Sequence, residues 1–73
     1  MKNKIKSLLS LYGYNLTQYA EKLGIFKQSL TRKISTNSLR VEDLVDLADL
    51  TGTTLAFVDD KGDTVMKFDK TDF

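Results

Sequence analysis

Seventy-three residues, 41% of them hydrophobic, supply one core and not two, because a divided chain would leave neither half with enough buried surface to offset chain entropy. Neither cysteine nor histidine occurs, which removes disulfides and the common zinc ligands as staples and leaves oligomerisation as the remaining stabiliser. The net charge of +1 hides opposed halves: residues 1–40 carry eight basic side chains against Glu21 alone, and residues 41–73 carry nine acidic ones against three basic. Such a division fits a basic face for a polyanion with an acidic face turned away, and it equally fits a solvated surface with no partner.

The first segment, MKNKIKSLLSLYGY, is basic and then apolar in the manner of a signal peptide, but Ser7, Ser10 and Gly13 interrupt it and no small-residue cleavage site follows. It reads as a helix with Ile5, Leu8, Leu9 and Tyr12 on one stripe, ended by Gly13. No run approaches the ~20 apolar residues of a membrane span, so a soluble, cytoplasmic protein is expected. In the second segment Thr17 is expected to cap a short helix with Leu16, Ala20 and Leu23 inward and Gly24 at its end. The third segment, from about Phe26 to Ser35, sets Phe26, Leu30 and Ile34 on one stripe. After the polar run Ser35-Thr36-Asn37-Ser38, the residues Val41, Leu44, Val45, Leu47, Ala48 and Thr51 mark a fourth helix stopped by Gly52.

The period then changes. Leu55-Ala56-Phe57-Val58 and Val65-Met66-Lys67-Phe68 read as strands of a β-hairpin. A three-residue loop, Asp60-Lys61-Gly62, with Gly62 at positive φ, predicts Phe57 opposite Val65 and Ala56 opposite Met66, to within one residue. The expected fold is therefore mainly α: four helices over residues 1–52 and a C-terminal hairpin and tail over residues 53–73.

Within this frame, residues 17–34 have the spacing of a helix-turn-helix. Ala20 is small where two helices cross, Gly24 suits a left-handed turn, and Ile25 can plug the corner. The segment TQYAEKLGIFKQSLTRKI resembles the helix-turn-helix of the lambda-repressor and Cro-like (XRE-type) family, and with VEDLVDLADLTG the resemblance spans roughly residues 3 to 52. The hairpin lies outside it. Phe26 and Arg40 stand where such proteins often carry a Ser or Thr cap, so capping there is expected to be weaker by ~1 kcal/mol each.

With Leu30 inward, about 100° per residue turns Gln28 and Arg32 almost directly outward, flanked by Ser29, Thr31 and Ser35. Gln pairs with adenine N6 and N7 and Arg with guanine O6 and N7, each discriminating by about 1 to 3 kcal/mol. Gln28 and Arg32, with Lys27 and Ser29 beside them, are thus the expected base readers of double-stranded DNA, although an isolated helix could carry the same residues as a solvated face. Lys27 and Lys33 have stems long enough to reach phosphates or neighbouring bases. Gln18, beside Thr17 at the start of the second helix, matches the family position that holds a phosphate, and Thr36, Asn37 and Arg40 are candidates for a second phosphate. Phe26 is expected to pack at the helix end, with contact to a sugar or thymine methyl as the alternative. Tyr14 and Tyr19 are expected to pack rather than stack on bases.

An uncovered hairpin is marginal in water. It either folds back over the helices or pairs with a second copy across a two-fold axis, with Leu55, Phe57, Val65, Met66 and Phe68 at the dimer interface. Reading two half-sites favours the second arrangement. The expected function is a dimeric repressor at a pseudo-palindromic operator of a phage, prophage or mobile element. The alternative is an antitoxin-like or protein-interaction module. An enzyme is not expected: no histidine, cysteine or glycine-rich phosphate loop is present, and Asp59-Asp60 suits a turn. No catalytic residue, cofactor, metal or small-molecule ligand is expected.

Overall fold

A computed structural model describes residues 2–73. Four helices, α1 (Lys2–Leu11), α2 (Leu16–Leu23), α3 (Lys27–Ser35) and α4 (Val41–Thr51), precede a hairpin of β1 (Leu55–Val58) and β2 (Thr64–Phe68) and a 3-10 turn at Lys70–Asp72. The mainly α, four-helix architecture with a C-terminal hairpin agrees with the sequence pattern.

Each helix ends in the same way. A residue just past the helix turns back, and the next N–H reaches a carbonyl five residues earlier: Tyr14 to Leu9 at 2.8 Å, Ile25 to Ala20 at 3.1 Å, Ser38 to Lys33 at 2.8 Å and Thr53 to Ala48 at 2.9 Å. This satisfies carbonyls that the helix leaves unpaired, and it needs a left-handed residue at the turn. Gly24, with φ 72°, serves after α2, while α3 uses Asn37 at φ 53°. Asparagine tolerates this region better than other side chains do, which explains why a helix with no following glycine still stops sharply.

The core joins all four helices: Ile5 and Leu9 from α1, Tyr19 and Ala20 from α2, Leu30 and Ile34 from α3, and Leu47 from α4. No strand residue belongs to it. Full burial of each large apolar side chain contributes about 1.5–3 kcal/mol. Tyr19 is completely buried, and its hydroxyl is satisfied by the Asp43 carbonyl at 2.7 Å. The packing role expected for Tyr19 is therefore met, and Tyr14 lies half-buried beside the same core.

Three local expectations are corrected. Tyr12 lies beyond α1 and is 48% exposed, because the chain leaves helical geometry there: the Tyr12 N–H bonds the Leu9 carbonyl at 3.2 Å in the tight turn that leads into Gly13, so the helical stripe no longer sets its direction. The cap of α2 is Asn15 and not Thr17: the Asn15 side chain accepts from the Gln18 N–H and the Gln18 side chain accepts from the Asn15 N–H, both at 2.9 Å. The reciprocal pair satisfies two donors where a single hydroxyl would satisfy one. Phe26 precedes α3 in an extended conformation, so the helical stripe with Leu30 and Ile34 does not include it, and it is 80% exposed.

The hairpin loop is as expected, with Gly62 at φ 87° and the Asp59 N–H bonded to the Asp63 carbonyl at 2.9 Å. The register beyond it is shifted. Val58 pairs with Thr64, but Phe57 pairs with Met66, Ala56 with Lys67 and Leu55 with Phe68. Val65 is thus the extra residue of a β-bulge, which moves every later pair by one. Leu55, Phe57, Met66 and Phe68 consequently share one face, and the Phe57 and Phe68 rings meet edge to face at 5.9 Å.

Ion pairs tie the C-terminal turn to the helices. Lys70 lies 3.6 Å from Asp46 and 3.2 Å from Asp49, and Asp49 also accepts from Lys22 of α2 at 2.5 Å. The hydrogen bonds from Lys22 and Lys70 hold the Asp49 carboxyl below its ordinary range.

Candidate nucleic-acid interface

The surface of α3 divides cleanly. Leu30 and Ile34 are buried, while Lys27, Gln28, Ser29, Thr31, Arg32 and Ser35 are exposed. Two of the exposed hydroxyls are folded back on the helix: Thr31 donates to the Lys27 carbonyl and Ser35 to the Arg32 carbonyl, each at 3.0 Å. The side chains of Gln28 and Arg32 are not held by any hydrogen bond or ion pair among the described residues. One helical turn apart on the outward face, they present an amide that both donates and accepts and a planar fork of donors.

The α2 start offers a second set of donors. The capping box holds the Gln18 carbonyl oxygen on Asn15, which leaves the Gln18 amide nitrogen for an outside acceptor. The backbone N–H groups of Leu16 and Thr17, in the first turn, have no intrahelical acceptor. Thr17 is exposed beside them. Lys6 of α1 and Lys27 of α3 both line the cleft that adjoins this helix start, together with Tyr14 and Asn15. Lys6 was absent from the candidates drawn from sequence, where it lay among basic residues of α1 with no distinguishing signal; only the fold places it on the same cleft as Lys27.

At the other end of α3 the polar groups are more committed. Thr36 donates to the Arg32 carbonyl at 2.8 Å and shares a hydrogen bond with Ser38 at 2.7 Å. Asn37 forms the left-handed turn and is exposed. Lys33 is half-buried, with its ammonium 3.3 Å from the Asp43 carboxylate. The same carboxylate oxygen accepts the Arg40 N–H at 3.0 Å. The uncapped start of α4 is thereby closed by Asp43 from within the first turn, and the Arg40 side chain is exposed. Of the candidate phosphate ligands, Gln18, Thr17, Thr36, Asn37 and Arg40 are accessible, whereas Lys33 is engaged in an ion pair.

The charge halves of the sequence meet in space. Lys22 and Lys33 pair with the acidic side chains of α4, whereas Lys27 and Arg32 make no ion pair among the described residues. Lys27 and Arg32 on α3, with Lys6 beside the start of α2, are among the basic side chains outside these ion pairs, as are Lys2 and Lys4 of α1, Arg40, and Lys61 and Lys67 of the hairpin. On the hairpin, Leu55 and Phe68 are half-buried against α4, while Phe57, Val65 and Met66 are exposed.

Similarity to known proteins adds nothing to this geometry: no family model matches the chain, and neither a curated protein nor a solved structure matches it.

Proposed function

We propose that α2 and α3 form a helix-turn-helix whose second helix enters the major groove of double-stranded DNA, and that the protein is a dimeric, sequence-specific transcriptional repressor. The observation that carries this reading is the outward pair Gln28 and Arg32, exposed and uncommitted on a helix whose opposite face is anchored by Leu30 and Ile34. An α-helix about 10–12 Å across with its side chains fits a major groove about 12 Å wide, and the nine residues of α3 supply about two and a half turns along it. Gln28 and Arg32 read adenine and guanine edges, with Lys27 and Ser29 beside them. Gln18 and the open N–H groups of α2 hold one phosphate, with Lys6 and Lys27 supplying positive charge. Arg40, Thr36 and Asn37 meet the backbone from the other side, and Lys33 keeps Asp43 and α4 in position.

The hairpin supports the dimer. Phe57 and Met66 are 64% and 52% exposed on the face that Leu55 and Phe68 root on the helices. Pairing that face with a second copy removes it from water and sets two α3 helices about one DNA turn, ~34 Å, apart. Occupancy of a phage, prophage or mobile-element operator then blocks transcription. The protein acts without cofactor, metal or catalysis, in the cytoplasm.

The exposed hairpin face also supports a second reading, an antitoxin-like or protein-interaction module in which this face takes a different protein. Selection of bound sequences from a random DNA pool separates the two. A dimeric regulator enriches a palindrome with half-sites one turn apart, whereas a module whose DNA binding is secondary or lost enriches no such paired half-sites.

A further inference from the structure

We propose that Phe26 is a specificity-determining residue that reads the C5-methyl group of one thymine in each half-site; this rests on the DNA-binding reading above. Phe26 is 80% exposed, more than any other large apolar side chain among the described residues. Neither the core nor the partly buried shell around it includes Phe26. Its position is nevertheless fixed: the backbone is extended, at φ −73° and ψ 151°, and its carbonyl accepts the Leu30 N–H at 3.1 Å as the first bond of α3.

This position opens α3, where Ser, Thr, Asp or Asn would accept a backbone N–H and contribute about 1 kcal/mol. Phe26 makes no such bond. The chain thus holds a phenyl ring in water, without a cap, two residues ahead of Gln28 and next to Lys27. The first turn of a groove-bound helix is the part that meets base edges. On those edges the major groove presents hydrogen-bonding groups and a single apolar one, the thymine methyl. A phenyl ring has nothing to offer the former and buries surface against the latter.

The test uses the full-length protein and the duplex it selects from a random pool. Each thymine of the half-site is replaced in turn by uracil, which removes the methyl and keeps every hydrogen-bonding group. Loss of one buried methyl corresponds to about a fourfold weaker binding per half-site. One thymine is expected to show that loss with the wild-type protein. Phe26→Ala is expected to bind the thymine duplex more weakly and to bind thymine and uracil duplexes equally, while Phe26→Leu retains part of the discrimination. Thermal unfolding of Phe26→Ala should match wild type, since the ring packs on nothing in the core. Equal weakening of Phe26→Ala on both duplexes, with the wild-type thymine preference retained, assigns the ring to sugar packing and overturns the inference while leaving DNA binding intact. A wild-type protein that selects no sequence overturns both readings.

Discussion

The Tyr19 hydroxyl donates to the Asp43 main-chain carbonyl at 2.7 Å, joining the middle of α2 to the first turn of α4. Asp43 also receives Lys33 from α3 and the Arg40 N–H, so one residue gathers three elements around the end of α3. The orientation of α3 relative to α2 is set from both sides: by the Gly24–Ile25 turn at its start and by Asp43 at its end.

Tyr19→Phe removes that hydroxyl and keeps the ring. The expected cost is about 1 kcal/mol, the net worth of an ordinary intramolecular hydrogen bond, measured by urea unfolding at neutral pH. Burial pushes the Tyr19 phenol above its ordinary value of 10.0, and the Asp43 and Asp46 carboxylates push it further. A raised folded-state value means the associated stability is complete below pH 10.0 and declines as pH rises above it. The wild-type protein should therefore lose stability with alkali more steeply than Tyr19→Phe. Parallel alkaline limbs would contradict the burial of this hydroxyl.

Asp49 contributes to the acid limb, as does Asp69, whose carboxyl is also held low. The Asp49 carboxyl is held below the ordinary value of 3.8 by hydrogen bonds from Lys22 and Lys70. A lowered folded-state value contributes stability that is present above pH 3.8 and is lost as the pH falls toward the folded-state value. Asp49→Asn should flatten this part of the acid unfolding curve, and because both partners are exposed the difference should shrink in high salt. An unchanged acid limb would mean that the Lys22–Asp49–Lys70 cluster is not maintained in solution.

The hairpin carries the prediction about assembly. Phe57→Asp places a charge on the exposed apolar face without touching the four-helix core. Sedimentation should show a dimer for the wild type and a monomer for the variant, with helix content retained and operator binding weakened. A variant that stays dimeric would move the interface away from Phe57 and Met66.

Helix positions were legible in the sequence because apolar residues recur at helical spacing and glycines close three of the four helices. The details that were not legible come from interactions that periodicity does not carry. Thr17 is a good cap by type, yet Asn15 wins by pairing reciprocally with Gln18. Phe26 continues the Leu30–Ile34 spacing, yet the helix begins one residue later and the ring points out of the core. The hairpin loop was readable from Gly62, but a bulge at Val65 has no composition signal and shifts every later pair. For the candidate interface, the outward direction of Gln28 and Arg32 followed from helical geometry alone. The engagement of Lys33 by Asp43 and the placement of Lys6 and Lys27 on one cleft depend on how separate helices pack.

The central claim is that α3 reads bases through its outward face, and Arg32→Ala tests it most directly. The Arg32 side chain is exposed and makes no hydrogen bond or ion pair among the described residues, so the variant should fold as the wild type does. Titration against the selected operator and an unrelated duplex at the same salt concentration is expected to show a loss of about 1 to 3 kcal/mol on the operator, relaxed preference at one base position, and little change on the unrelated duplex. Equal losses on both duplexes would reduce Arg32 to a phosphate contact and contradict the account.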